Sequence, residues 1–200
     1  DIFCNAEVID IAQVEGGWNT VLTDGTVYNS KYLIMATGRS GSSWTSKICE
    51  KLGIVAHNNR VDLGSRFECP ADIWEPITSQ VYESKIVYRS PKTGCACRTF
   101  CMNPHGEVVT ENTNGIMTVN GHRYEDPAKH TENTNFALLV THHFTEPFKD
   151  SNAYGESIAR LTNMLAGGVM VQRFGDLVAN KRSNPKRIAE SFVKPTLTAE

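Results

Sequence analysis

Residues 31–41 carry the strongest structural signal in this sequence: Lys31-Tyr32-Leu33-Ile34-Met35-Ala36-Thr37-Gly38-Arg39-Ser40-Gly41. Residues 32–36 form an uninterrupted apolar run, which is typical of a strand buried on both faces in the parallel sheet of an α/β protein. The run ends at Thr37-Gly38, where small side chains let another backbone or a flat cofactor come close. We therefore predict a buried strand at residues 32–36.

The end of this strand is a candidate cofactor contact. Ligands of α/β proteins bind at the carboxyl ends of sheet strands, and the free N–H groups at the start of the next helix can receive a phosphate. Thr37, Gly38 and Arg39 are therefore the predicted cofactor-binding residues. An ordinary glycine turn after a buried strand is the alternative, and the stretch alone does not distinguish the two.

The flanking segments predict a small β-meander and a helix. Turn pairs at 16–17 and 24–25 separate three strand patterns before residue 30. After the apolar run, side chains recur on one helical face up to a terminating glycine: Trp44, Ile48, Leu52 and Gly53. Residues 1–54 form the first predicted domain.

The second predicted domain, residues 55–200, has its strands first and its helices last. Its strand patterns are 61–69, 85–89, 95–102, 107–110, 116–119 and 136–141. Asn114-Gly115 and Asn120-Gly121 are predicted turns because both residue types tolerate positive φ. The predicted fold class is α+β, with an antiparallel-rich larger domain.

Three helices are predicted after residue 149. In the first, Ile158, Leu161 and Leu165 share an apolar face. Asp150 or Ser151 is its N-cap, and Gly167-Gly168 ends it. A second helix is predicted within 169–177, and a third begins at Asn184-Pro185. Residues from Lys194 onward are predicted to be a loop that leads out of the domain.

Composition argues against several classes of partner. Hydrophobic residues make up 40% and charged residues 21% of the chain, and the net charge is -2. Such a chain has no strong field to attract nucleic acid or an anionic membrane. No apolar run approaches the roughly 20 residues that cross a bilayer, and no signal-peptide pattern opens the sequence. We expect a cytoplasmic protein with reduced thiols, bound to neither nucleic acid nor membrane.

A second candidate site consists of Arg66, Glu68, Arg98, Cys101, Asn103 and His105. On strands, Arg66 and Glu68 share a face, as do Arg98 and Phe100. An arginine can hold a substrate carboxylate bidentately, and His105 could exchange a proton near neutral pH. The alternative, favoured for each residue singly, is a surface Arg66–Glu68 ion pair and a turn residue at His105. Arg66, Arg98 and His105 are the candidate catalytic residues, and no role is assigned.

The cysteines do not predict a metal site. Cys95, Cys97 and Cys101 are close in sequence, but strand residues two apart are separated by about 6.6 Å. Sulfurs bound to one zinc at about 2.3 Å must lie closer together than this. His142 and His143 are adjacent, so on a strand they face opposite sides. We predict structural or incidental thiols and no metal.

Two features of the sequence resemble known flavoproteins. The order of a hairpin, a short return strand and Leu33-Ile34-Met35-Ala36-Thr37-Gly38 resembles flavoproteins with two dinucleotide-binding domains. Further stretches resemble a bacterial family of uncharacterised FAD-dependent dehydrogenases, which are NAD(P)/FAD-dependent oxidoreductases. These stretches are residues 61–68, 98–109, 131–140 and 144–148, and Gln172-Arg173-Phe174-Gly175-Asp176. Together the resemblance covers nearly the whole chain.

The resemblance implies that residues 1–54 belong to an FAD-binding, Rossmann-like domain and residues 55–200 to a substrate domain. It implies oxidation or reduction of a small-molecule substrate in the intact protein, with hydride passing to or from the flavin. The Gly-x-Gly-x-x-Gly turn that holds the pyrophosphate in such proteins does not occur in this sequence. We therefore expect a piece of a longer protein, partnered by missing N-terminal and C-terminal parts, that binds FAD poorly by itself.

A non-catalytic binding or interface module, appended to a flavin domain, is the alternative function. A catalytic domain would present a concave polar face with Arg66, Arg98 or His105 beside Thr37-Gly38. A docking module would expose an apolar patch instead. The sequence does not place these residues relative to one another, so both functions stay open.

Overall fold

A computed structural model describes residues 1–57, 59–144 and 150–197 and divides the chain into two compact units, Asp1–His57 and Asn58–Glu200. The predicted boundary after residue 54 lies close to this division. Of the family-like stretch 144–148, only Phe144 falls within the described residues. The first and second units are called unit 1 and unit 2 below.

Unit 1 is a three-stranded antiparallel sheet with one helix. The strands β1 (Val8–Val14), β2 (Gly17–Leu22) and β3 (Val27–Ser30) follow one another in space as in sequence. Helix α1 (Ser42–Lys51) lies against β1, where Trp44 Nε1 donates to Ile9 O at 3.4 Å. The Lys51 ammonium binds the Asp10 carboxylate, and this hydrogen bond lowers the pKa of Asp10. The meander and the helix form as the turn and periodicity patterns predict.

The predicted buried strand at 32–36 is wrong. These residues are not paired with any strand among the described part of the chain, and the side chains of Tyr32 and Ile34 are 77% and 90% exposed. An apolar run becomes a buried strand only when neighbouring strands and covering helices are there to bury it. Within unit 1 the segment follows β3 without regular secondary structure.

Unit 2 is built on a four-stranded antiparallel sheet. Unit 2 has six strands in all: β4 (Val61–Pro70), β5 (Val87–Arg89), β6 (Ala96–Asn103), β7 (Glu107–Thr113), β8 (Ile116–His122) and β9 (Asn133–His142). The four-stranded sheet has the order β4-β9-β6-β5, while β7 and β8 form a separate hairpin. The hairpin turns at Asn114-Gly115, where both residues have positive φ, as predicted. With helices following the strands, the fold is α+β.

The two faces of the four-stranded sheet differ in chemistry. One face holds the core, formed by Cys69, Met102 and Phe136 with Phe67, Trp74 and Leu138 packed against them. The other face carries Arg66 and Arg98 among small and apolar residues. Side-chain alternation and the strand register place Arg66, Ala137 and Phe100 in one row of that face and Gly64, Leu139 and Arg98 in the next.

The helices of unit 2 are α2 (Glu75–Thr78), α3 (Ser151–Ala166), α4 (Phe174–Val178) and α5 (Pro185–Ala189). Asp150 caps α3 by accepting a hydrogen bond from Ala153 N at 2.8 Å, and Gly167 ends it at φ 71. Asn184 caps α5 in the same way. The helix predicted for residues 169–177 starts later than expected: α4 spans only Phe174–Val178.

The apolar side of α3 is largely open. Leu161 and Leu165 are 53% and 65% exposed. The helix is instead fixed to the hairpin by a polar residue: Asn163 donates to Met117 O at 2.9 Å and accepts from Met117 N at 2.8 Å. The helical periodicity therefore predicts the helix correctly but does not identify the side that packs.

Two further expectations are wrong. Asn120-Gly121 is not a turn but lies within β8, paired with Val109 and Val108. The tail is a loop, as predicted, but as far as Leu197 it stays on unit 2: Thr196 Oγ1 accepts from Val108 N at 2.9 Å, and Lys194 O accepts from Asn133 Nδ2 at 2.9 Å. Both depend on long-range packing that local residue preferences do not encode. In the described ranges, no helix has the length and apolar character needed to cross a membrane.

Candidate functional site

The predicted cofactor contacts in unit 1 lie open. Thr37, Gly38 and Arg39 are all exposed, and the Thr37 and Thr45 hydroxyls lie 2.7 Å apart, linking the segment to α1. Gly38 adopts φ +64, and a Cβ built there would meet nothing within 4 Å. The backbone at Gly38 is thus free to be approached closely.

These residues fit only part of an FAD molecule. Gly38 can admit a flat group against its backbone, and the Thr37 hydroxyl can serve as a donor or acceptor. A diphosphate needs more: a glycine-rich turn whose successive N–H groups converge on it. This sequence has no such turn, so these residues by themselves do not provide a pyrophosphate site.

In unit 2, Arg66 is the centre of a polar cluster. Its Nη1 donates to Cys101 O at 3.0 Å and Asn135 Oδ1 at 2.6 Å, and its Nη2 donates to Asn120 Oδ1 at 3.3 Å. Asn103 Nδ2 joins by donating to Cys101 O at 2.9 Å. Four strands therefore meet at one guanidinium: β4, β6, β8 and β9.

The backbone is shaped to fit this cluster. The register of β6 against β9 shifts between Phe100 and Asn103, and Cys101 within that bulge has φ 46. Bulges of this kind re-aim side chains and are frequent near functional sites. On the opposite side, Gly121 brings β8 so close that an added Cβ would lie 2.2 Å from Arg66 Nη1.

One member of the cluster is not satisfied. Asn135 is 0% exposed, and its Nδ2 has no hydrogen-bond partner among the described residues. A buried amide N–H without an acceptor costs about 1–3 kcal/mol. Burial lowers the pKa of the Arg66 guanidinium, although the charges of Cys101, Glu111 and Glu68 act in the other direction.

Glu68 does not pair with Arg66, so the predicted surface ion pair is wrong. Its carboxylate instead accepts from Thr196 Oγ1 at 2.5 Å and from Asn133 Nδ2 at 3.3 Å. Glu68 and Arg66 share a face of β4, as predicted, but their side chains bind different partners. Glu68 anchors the C-terminal tail and Arg66 holds the polar cluster.

Arg98 lies on the same sheet face as Arg66 but has its own carboxylate. Its Nη2 is 2.6 Å from Asp62 Oδ2, and Thr141 Oγ1 donates to the other Asp62 oxygen at 2.6 Å. The guanidinium also lies over the Phe100 ring, 5.1 Å from its centroid. This ion pair is partly exposed to water, which weakens its contribution to stability.

His105 lies in the turn between β6 and β7, with φ 54. Its Nδ1 is 3.1 Å from Thr131 O, so this nitrogen carries the proton and donates. Its Nε2 lies 3.8 Å from Glu75 Oε2. The His130 ring stacks on the His105 ring, with 6.0 Å between the two ring centroids. His105 is thus a turn residue with an oriented ring.

Of the predicted candidates, the structure brings Arg66, Cys101 and Asn103 together. Arg98 shares their sheet face, whereas Glu68 and His105 have separate partners. Sequence reasoning missed Asn120, Gly121 and Asn135. No local signal marks Asn135, which lies just before the predicted strand 136–141, because its role depends on the order of the strands.

The six cysteines are all unpaired, and only Cys69 is buried. Burial raises the pKa of the Cys69 thiol. Within the part of the chain that the structure describes, no three histidine, cysteine or acidic side chains gather as a metal site would require. A cleft of unit 1 lined by residues that include Phe3, Asp24 and Tyr28 contains none of the candidate residues.

Comparison with known proteins adds no relative. The chain matches no model of a known protein family, and no curated protein is similar to it in sequence.

Proposed function

We propose that the chain is part of a cytoplasmic FAD-dependent oxidoreductase, in which unit 1 contributes one edge of the flavin site and unit 2 contributes the substrate side. The supporting observation is the segment at 32–38. It is an apolar run that pairs with no strand among the described residues, and it ends at Gly38, where an added Cβ would meet nothing within 4 Å. A parallel sheet supplied by further chain would bury residues 32–36 and leave Thr37-Gly38 at its ligand-binding edge.

The chemistry of such a protein lies in its cofactor. Bound FAD would supply hydride transfer to or from a small molecule. This chain's residues would do the rest: Gly38 would admit the flat cofactor, Thr37 and Arg39 would offer polar contacts at its edge, and Arg66 would hold substrate charge. Catalytic roles for Arg98 and His105 stay predictions, since Arg98 is already paired with Asp62.

The test is the flavin content of the full-length gene product. We expect it to purify yellow, with the two absorption bands of oxidised flavin. The 200-residue chain titrated with FAD should show no tight quenching of flavin fluorescence, because it has no turn for the pyrophosphate. A colourless full-length protein that takes up no added FAD would refute the proposal.

A docking module is the second candidate, and the exposed apolar residues of unit 2 favour it. Leu165, Phe174, Leu177 and Val178 are each more than half exposed, at 65%, 62%, 62% and 72%. Exposed apolar side chains in such number are typical of a surface that another protein or domain covers. Substituting Leu177 and Val178 by serine separates the two functions. Loss of partner association with flavin reduction intact would favour docking.

A further inference from the structure

Residues 170–192 of unit 2 combine exposed apolar side chains with an excess of positive charge. The segment contains five lysines and arginines but two carboxylates, in a chain whose net charge is -2. Three apolar residues of α4 are each more than half exposed: Phe174 (62%), Leu177 (62%) and Val178 (72%). The Phe174 ring also packs edge-on against Phe67, with 5.6 Å between the centroids, so α4 is fixed to the core. Exposed apolar side chains beside charges of one sign are typical of an interaction surface.

The end of α4 brings two of the cations close to its apolar side chains. Asn180 adopts φ 52, and its N–H donates to Leu177 O at 3.0 Å. Lys181 N donates to Asp176 O at 2.8 Å. These two bonds form a Schellman motif, which turns the chain back at the last helical turn. Lys181 and the following Arg182 therefore lie at the same end of α4 as Leu177.

A buried carboxylate fixes the loop after α4. Asp176 is 8% exposed and accepts a hydrogen bond from Ser183 Oγ at 2.8 Å. Its two oxygens lie 4.0 Å from Arg173 Nη1 and 3.7 Å from Arg187 Nη1. The carboxylate is thus already shared by two arginines, and the loop that it holds needs little ordering when a partner binds.

The side chains of Lys181 and Arg182 are exposed and form no ion pair with any other residue that the structure describes. Their backbone carbonyls hold the loop instead. Lys181 O accepts from Gln172 Nε2 at 2.7 Å, and Arg182 O accepts from Arg187 Nη1 at 3.1 Å. Both cations are therefore available to carboxylates of another molecule.

The charges favour a protein segment over a lipid surface or a second copy of the chain. Three of the five cations already face a carboxylate of the same segment: Arg173, Lys186 and Arg187. The remaining two are fewer than the about four or more that hold a protein on anionic lipid, and a net charge of -2 is repelled by such a surface. A symmetric contact between two copies would bring the same cations together, which is unfavourable.

We propose that this surface docks an acidic, amphipathic segment of a partner protein, such as a helix with leucines on one face and glutamates beside them. The apolar side chains of that segment cover Leu177 and Val178, and its carboxylates pair with Lys181 and Arg182. The inference rests on the docking function proposed above and names the chemistry of the docked partner.

A labelled synthetic helix of leucine and glutamate is the probe, about 15 residues long as an isolated helix requires. The same peptide with glutamine in place of glutamate is its uncharged control. Titrated with the 200-residue chain, the acidic peptide should show saturable binding in fluorescence anisotropy, and the control should bind about fivefold more weakly or less. No saturable binding of the acidic peptide, or equal binding of the two peptides, overturns the proposal.

Two matched double variants then identify the charges responsible. Lys181→Glu with Arg182→Glu should weaken binding of the acidic peptide about tenfold or more, because attraction becomes repulsion. Lys92→Glu with Lys129→Glu reverses two exposed lysines elsewhere in unit 2 and should change affinity less than about threefold. Equal weakening in both double variants also overturns the proposal.

Leu177→Ser with Val178→Ser separates this inference from the docking function on which it rests. Both peptides binding equally, and both losing affinity in this variant, would leave the docking function standing and refute the acidic partner. Unchanged binding of the acidic peptide would count against both. Cosedimentation of the chain with phosphatidylserine vesicles without peptide binding, or twice the monomer mass in light scattering that this variant abolishes, would assign the surface to a membrane or to a second copy and overturn the proposal.

Discussion

Two segments of the molecule show burial opposite to what their composition suggests. The apolar segment 32–36 of unit 1 is exposed, whereas the polar start of β9 in unit 2 is buried. Ile34 is 90% exposed, whereas Thr134 and Asn135 are 0% exposed. The apolar segment has no neighbouring strand among the described residues. Asn135 lies between β4 and β6 and accepts a hydrogen bond from Arg66. Burial follows the presence of neighbouring strands, even though Thr134 Oγ1 and Asn135 Nδ2 have no hydrogen-bond partner among the described residues.

Within unit 2, the largest expected effect comes from breaking the enclosure of the polar strand at Gly121. An alanine Cβ there would lie 2.2 Å from Asn103 Nδ2 and 2.3 Å from Asn135 Oδ1, so the cluster must move apart. We expect Gly121→Ala to lower the free energy of unfolding of unit 2 by about 2–3 kcal/mol. Urea denaturation followed by Trp74 fluorescence measures it.

Gly175→Ala is the matched control. A Cβ at Gly175 meets nothing within 4 Å, and the residue lies in α4. Because alanine favours a helix over glycine, stability should stay level or rise slightly, by up to about 1 kcal/mol. A loss in Gly121→Ala no greater than in this control would show that the polar cluster is not tightly enclosed.

A smaller effect is expected where the C-terminal tail covers the first residue of β9. Thr196 binds Glu68, and the same carboxylate accepts from Asn133. Thr196→Val keeps the shape and removes the hydroxyl, so we expect a loss of about 1–2 kcal/mol in unit 2 stability. Thr162→Val removes a hydroxyl that bonds only within α3 and should change stability by less than about 0.5 kcal/mol. Similar values for both would mean that the tail contributes nothing to the enclosure.

The smallest effect is expected in the apolar segment itself. Because Ile34 is exposed in this chain, Ile34→Ala should change the stability of unit 1 by less than about 0.5 kcal/mol. Ile11→Ala, at a residue that is 2% exposed, should cost about 2–5 kcal/mol. Trp18 and Trp44 fluorescence during denaturation reports unit 1. A cost at Ile34 equal to that at Ile11 would contradict the open segment.

How far the sequence predicts this molecule depends on the range of each interaction. The Asp150 and Asn184 caps and the Asn114-Gly115 turn are local, and they could be predicted from residue chemistry. Asn120-Gly121 has the same local preference as Asn114-Gly115 but lies in a strand, because β8 pairs with β7 and approaches Arg66. At the candidate site, Arg66, Cys101 and Asn103 could be selected by residue type. Asn135 could not, because its role depends on strand order.

The tail contact sets an order of events during synthesis. Glu68 and Thr196 are 128 positions apart, so the carboxylate leaves the ribosome long before the threonine that binds it. Contacts this far apart in sequence form slowly, since a long loop must close before they stabilise anything. Until Thr196 has been synthesised, Glu68 and Asn133 stay hydrated, because the tail that binds them is not yet present.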